Sequence, residues 1–522
     1  MDPVGIAGLT IAVLDQLWKI GNGTAELISN YRDFDSDTKA LENKIRDENN
    51  RTKALRMLLL EPSSAYGGKS LFEQFDVEVQ KQIHIFLEQA SDVLDQAHQL
   101  MQRRQGGGQD SESSLQMKFP LLPARSSTSS IASLTSDASG MKRPRSFQRI
   151  RWSLLDKKRV EDIVAEFSEL NSRIHESIKL WCLGTSIGVD LRHLRHLESD
   201  PNSRVLGFHV DARLQIATTQ TAEHATSLEI SGSKLARSLP NILRVGEKFG
   251  ILRINGQAFL LEYRSYSPEA PVPVELDDRT RDLIDKLANL LHQPKEIGFR
   301  TPSCVGWFRE TNENRVAYVF NIPEGFDASP ISLLDVLRSK DLAAPTLGQK
   351  FWLALRLSRC ISQLQLVKWV HESFRSENIL FFPRIDKDQA GSASDQTLDL
   401  SEPWVLGFEF NRQQRPKHPF SKIHDIYALG VVLLEIGLWQ PALSLDKDGF
   451  AKAQSPQSIK KHLLRHAEKR LGAKMGTKYR DVVVKCLTGD FHVQNDNKED
   501  LKLQQAFRSQ VVNVLQRAAE SI

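Results

Sequence analysis

A chain of 522 residues, 40% hydrophobic and 26% charged, is long enough for two or three domains and has the composition of an ordinary globular protein. A formal net charge of only +4 excludes a global nucleic-acid signature, so any basic partner site must be local. The four cysteines, Cys182, Cys304, Cys360 and Cys486, form no CxxC pair and no metal spacing, which predicts reduced, buried thiols and no metal site.

The start, MDPVGIAGLTIAVLDQLW, is apolar but has neither a basic leader nor a clean cleavage site, so a cytoplasmic location is expected. Small and aliphatic residues predict a first helix over 3–31. Its run Val4, Ile6, Leu9, Ile11, Val13 and Leu14 is a candidate membrane segment, although it is too short to span a bilayer, which takes about 20 apolar residues. A core helix is the alternative for the same run. A charged second helix is predicted over 35–60. A third, over about 70–101, places Val79, Ile83, Phe86, Leu87, Ala90 and Leu94 at three-to-four spacing, the pattern of one buried face. The stretch 105–145, with GGG, SESS and SSTSSIASLTSDASG, is too polar to offset chain entropy and reads as a disordered loop carrying candidate phosphorylation sites. Helical pattern resumes at Phe147, directing Val160, Val164, Phe167, Leu170, Ile174 and Ile178 to a core. Arg143, Arg145, Arg149, Arg151, Lys157, Lys158 and Arg159, against the single acid Asp156, form a basic cluster. It suits either a solvated face or anionic lipid, where each cation contributes about 1 kcal/mol near the surface.

The N-terminal PVGIAGL, the charged second helix, the long third helix and the late segment RWSLLDKKRVEDIVAEFSELNSRIHE together resemble the fungal HeLo domain, the prion-inhibition and propagation domain of HET-S-like heterokaryon-incompatibility proteins. The resemblance covers about residues 1–185. It implies an all-α bundle whose N-terminal segment is delivered to a membrane when the domain oligomerises, permeabilising it in programmed cell death. Residues 186–240 mix polar runs such as ESDPNS with short apolar pieces and read as a linker with one or two short elements, Leu228–Gly232 being a candidate strand.

From 241 the pattern changes to α+β. Asn255-Gly256 is a hairpin dipeptide between two strand-like runs, 249–253 and 257–266. A helix over 281–293 and strands over 304–308 and 315–322 follow, then Pro323-Glu324-Gly325. A helix starts at 331, and a longer one covers 347–370. Next come HESFRSENILFF, a polar insert over 384–401, WVLGFEFNR, and an Asp-led apolar helix, HDIYALGVVLLEIGLW. Residues 456–522 read as largely helical.

This order resembles a two-lobed protein kinase, with an upper lobe over 241–323 and a lower lobe over 324–522. His371 and Asn378 match the His and Asn of the family's H-R-D-x-x-x-x-N, Phe408 matches the middle of its D-F-G, and Asp425 matches the Asp that braces the catalytic loop through its backbone. The chemistry departs from the family. Ser373 stands in place of the catalytic-base Asp, Gly407 in place of the metal-binding Asp, and Glu409 in place of Gly. No G-x-G-x-x-G precedes the second strand, and Glu262 or Arg264 falls near the position of the phosphate-pairing Lys. The short chain between Phe408 and Asp425 leaves no room for an ordinary activation segment. Phosphoryl transfer needs a base and a metal carboxylate together, so the resemblance is to a pseudokinase: not an enzyme, no catalytic residue, no cofactor.

The fold expected is thus multidomain, a HeLo-like all-α bundle followed by a kinase-like α+β domain. The plan is similar to that of the mixed-lineage kinase domain-like pseudokinases. It implies a cell-death signalling protein whose bundle acts on membranes under control of the inactive kinase-like domain. Its partners would be other proteins, other copies of the chain on activation and anionic lipids, but not nucleic acid, and activation would bring it from cytoplasm to membrane. The alternatives are a non-lytic protein-interaction scaffold and an atypical active kinase.

Overall fold

The computed structural model describes residues 3–29, 36–105, 157–219, 227–231, 242–266, 274–385, 398–409, 420–453 and 455–522. The chain divides into two units, Met1–Ile178 and Lys179–Ile522.

The first unit is helical. It holds α1 (Pro3–Ser29), α2 (Ser36–Leu60), α3 (Val77–Gln105) and most of α4 (Lys157–Gly184). The core is made of one stripe from each helix: Leu14, Leu17 and Ile28, then Ile45, Leu55 and Leu59, then Ile83, Leu87 and Leu94, then Val164, Phe167 and Ile174, all at most 2% exposed. Three-to-four spacing puts each set on one face, and burial of that face is what holds such helices together. Polar ties fix the register. Asn49 donates to the Trp18 carbonyl (3.2 Å) and to Asn22 Oδ1 (2.8 Å), and Ser168 donates to Glu48 (2.8 Å). The loop 105–145 lies outside the described residues, apart from Gln105.

Residues 186–240, expected as a linker, instead contain three helices of the second unit: α5 (Leu191–Ser199), α6 (Pro201–Leu206) and α7 (Phe208–Thr219). The polar run that suggested a linker is cap chemistry. Asp200 accepts the Ser203 N–H (2.8 Å), Pro201 opens α6, and Gly207 ends it at φ 78°. Leu194, Leu197, Leu206, Phe208 and Leu214 are buried. The candidate strand at 228–232 makes a single parallel bridge, between Glu229 and Trp307.

Five antiparallel strands follow: β1 (Leu243–Val245), β2 (Phe249–Ile254), β3 (Gln257–Ser265), β4 (Cys304–Glu310) and β5 (Arg315–Asn321), in the order β1-β2-β3-β5-β4. Asn255 (φ 50°) and Gly256 (φ 81°) make the β2–β3 turn in the conformation a two-residue hairpin requires. The helix α8 (Asp278–His292) packs on this sheet through Ile284, Ala288 and Leu291. A mainly helical lobe follows, led by α9 (Leu333–Arg338), α10 (Leu347–Leu366) and α11 (Lys422–Leu438). It carries a small sheet of β6 (Ile331–Ser332), β7 (Ile379–Phe381) and β8 (Trp404–Val405), in that order. The result is a helical N-terminal region followed by a mixed helix–sheet region.

Candidate functional site

The loop between α10 and β7, the chain after β8, and the faces of β3 and α11 meet at one place in the second unit. Asp425, in the first turn of α11, receives the His371 N–H on Oδ2 (2.7 Å) and the Glu372 N–H on Oδ1 (3.1 Å). Burial pushes its carboxyl up to about 7, against the two N–H donors that favour the charged form. His371 is fully buried. Burial drives its pKa down to about 3, with the Arg264 charge pushing the same way, so the imidazole is neutral. Its Nε2–H donates to the Leu406 carbonyl (2.9 Å), leaving Nδ1 to accept from the Ser373 N–H (3.3 Å). Phe408 lies against His371 (centroids 4.3 Å apart) and stacks on Trp369 (4.5 Å). These contacts stabilise the loop; none presents a reactive group.

Asn378 is 1% exposed, and its amide is turned inward. Nδ2 donates to the Ser373 carbonyl (2.8 Å) and lies 3.4 Å from Ser373 Oγ. Against it sits Gly407, at φ 89°, where a Cβ would come within 2.2 Å of Asn378 Nδ2 and 2.3 Å of its Cγ. Any side chain at 407 would therefore collide with Asn378. The space beside the Gly407 backbone is filled by the Asn378 side chain.

The neighbouring charges are also committed. Arg264 Nε donates to Glu262 Oε1 (2.7 Å), and its Nη1 pairs with Glu409 (3.0 Å). Glu262, 4% exposed, uses its other oxygen to accept the Gly407 N–H (3.2 Å). Burial opposes the charge on Arg264, but Glu262 and Glu409 outweigh it and hold the guanidinium ionised. At the mouth, Lys248 in the β1–β2 turn reaches down to Glu377 (2.6 Å) and lies 3.5 Å from Asn378 Oδ1, while Arg375 adds a second cation on Glu377 (3.2 Å). That bridge is more than a third exposed on the lysine side and contributes at most about 1 kcal/mol. Among the described residues, no group of three His, Cys, Asp or Glu side chains is arranged to hold a metal ion.

His371, Ser373, Asn378, Gly407, Phe408, Glu409 and Asp425 therefore converge. Sequence reasoning named Arg264 and Glu262 only as neighbours of a missing lysine. Their spacing of two along a strand, which puts both on one face, was the signal for an ion pair. Lys248 and Glu377 gave no such signal.

Of the two N-terminal candidates only a few side chains lie among the described residues. The side chains of Val4, Ile6 and Leu9 lie outside the described residues; Ile11 is exposed, Val13 half-buried and Leu14 buried. Of the basic cluster, residues 143–156 and the side chains of Lys157 and Arg159 lie outside the described residues, and Lys158 is exposed. No described helix is long and apolar enough to cross a membrane.

A family model described as a domain of unknown function (DUF7580) matches residues 311–522. No curated protein matches the chain. Among solved structures, it is similar to a Neurospora crassa PAN3 pseudokinase mutant, with 9% identity and a TM-score of 0.35 over 52% of this chain and 59% of that one. The chain thus spans less than two thirds of that structure's length.

Proposed function

We propose that this chain is a two-part signalling protein of the regulated-cell-death or incompatibility type. Residues 242–522 act as a non-catalytic, kinase-like regulatory unit. The N-terminal helical unit, HeLo-like in sequence, is the effector that oligomerises on anionic membranes and permeabilises them when released. Phosphorylation in the 105–145 loop or binding of a protein partner is the release signal. The observation that carries the non-catalytic reading is the Asn378–Gly407 contact. At the position that the sequence resemblance aligns with the family's metal-binding Asp, the chain's own Asn378 amide leaves no room for a side chain, while the nearby carboxylates Glu262 and Glu409 are taken by Arg264. A magnesium–nucleotide complex needs that space and those charges.

Two measurements test the two halves. Mg-ATP should leave the unfolding temperature of the full chain unchanged, because only a ligand bound by the native state raises it; a rise that is lost in Asn378→Ala would favour the atypical-kinase reading. Residues 1–185 should release dye from anionic liposomes while the full chain does not. Leakage by both would remove the brake. Leakage by neither would leave a non-lytic interaction scaffold.

A further inference from the structure

The five-stranded sheet ends on β4, and an unpaired edge strand is a template for another strand. Here that edge is covered by a short, separate piece of chain, Ser227–Ser231. Trp307 of β4 donates its N–H to the Leu228 carbonyl (3.1 Å), and Ile230 donates to the Trp307 carbonyl (2.7 Å), the pattern of a parallel pair. The side chains alternate. Leu228 and Ile230 are half-buried, Leu228 against the main core and Ile230 against the cluster of Leu252, Leu261 and Phe308; Ser227, Glu229 and Ser231 are exposed.

The receiving surface is shaped for this segment. β4 has a register shift between Cys304 and Gly306, and a Cβ at Gly306 would lie 2.5 Å from the Leu228 carbonyl oxygen and 3.1 Å from Ile230 Cγ1. Only glycine admits the segment at this distance. On α8, Asp285 gathers the Ser227 hydroxyl (2.8 and 2.9 Å), the Leu228 N–H (3.2 Å) and the Trp307 indole N–H (2.7 Å). One turn earlier Arg281 pairs with Glu229 (2.5 Å). The α8 helix, the edge strand and the short segment are thus joined at a single carboxylate.

We propose that the β4 edge, with Gly306, Asp285 and Arg281, is a docking site for an extended peptide of the pattern Ser–aliphatic–acidic–aliphatic. Residues 227–231 occupy it in cis and must lift before a partner's strand can enter. Backbone pairing supplies affinity, the two apolar pockets and Arg281 supply selectivity, and Asp285 reads the hydroxyl. A negative charge on Ser227, within hydrogen-bond distance of both Asp285 oxygens, would eject the segment by like-charge repulsion. This goes beyond the reading of the cleft and does not depend on it.

The test uses the full chain and a labelled peptide, TSLEISG. The wild-type chain should take up the peptide weakly, because the tethered segment competes at high effective concentration. Leu228→Asp with Ile230→Asp should tighten uptake by about tenfold or more, and adding Gly306→Val should abolish it. Equal uptake by wild type and the double variant would overturn occupancy in cis, and no uptake by a folded double variant would overturn the site. Hydrogen exchange on Ser227→Asp gives an independent reading that does not require the double variant to fold. The Ile230 and Trp307 amides should exchange about tenfold faster or more while those of the β2–β3 hairpin do not change. Unchanged protection at Ile230 and Trp307 would overturn the proposal.

Discussion

Replacing Gly407 by alanine tests whether the cleft is filled as described. Two costs add. An L-residue held at φ 89° is strained by about 1–3 kcal/mol. The new Cβ would also sit 2.2–2.7 Å from three atoms of Asn378, which is 1% exposed and tethered to the Ser373 carbonyl and so cannot swing aside freely; such overpacking costs about 1–3 kcal/mol. Gly407→Ala should therefore destabilise the second unit by about 2–6 kcal/mol. Of the eight tryptophans only Trp18 and Trp152 lie in Met1–Ile178, so intrinsic fluorescence during urea unfolding reports mainly on the second unit. Adding Asn378→Ala removes the colliding amide but leaves the backbone strain, and the two substitutions should couple favourably by about 1–2 kcal/mol. Strict additivity, or a single-variant cost under about 0.5 kcal/mol, would mean that residue 407 relaxes without meeting Asn378 and that the position is open.

Arg264→Ala should cost about 3–5 kcal/mol, since it leaves Glu262 buried without its cation; Arg264→Met combined with Glu262→Gln should cost much less, and equal losses in urea titrations would refute the pairing. The pH dependence has a definite sign. His371 and His193, lowered by burial to about 3 and about 4, leave the unfolded chain holding more protons below about 6.5, so they make stability fall as pH drops. Asp425, raised by burial to about 7, acts in the opposite sense, the folded chain keeping a proton that the unfolded chain releases above about 4. Asp425→Asn removes this opposing group, so between about pH 4 and 6 the variant's stability should rise with pH more steeply than the wild type's, by about 1.4 kcal/mol per unit; a variant whose profile parallels the wild type would refute the assignment.

Much of the second unit was legible because its signals are local. Asn255-Gly256 fixes a hairpin by backbone conformation, and the apolar run from Ile426 to Leu438 can only be a buried helix. That His371, Ser373 and Asn378 share one loop before a short strand was legible for the same reason, being set by their closeness in sequence. What could not be read were features made by distant residues. Nothing in the β1–β2 turn announces that Lys248 meets Glu377, and nothing in α8 announces that Asp285 turns away from the cleft toward Trp307 and Ser227. The run ESDPNS misled because the residues that make a linker soluble, Asp, Ser and Pro, are also those that cap one helix and begin the next.

The magnitudes also say where such a unit yields first. The Glu262–Arg264–Glu409 group is largely buried, so opening the cleft would strand charge at a cost of several kcal/mol. The Arg281–Glu229 pair that helps hold the 227–231 segment is 41% and 31% exposed, a setting in which an ion pair contributes about 0–1 kcal/mol. That segment makes only one bridge with β4, whereas the β2–β3 hairpin pairs along six consecutive positions. Local opening follows the elements with the fewest buried contacts. A modest input, such as one phosphate or one competing strand, would therefore lift Ser227–Ser231 while the Glu262–Arg264–Glu409 group stays closed, so a signal can be received at the β4 edge without disturbing that group.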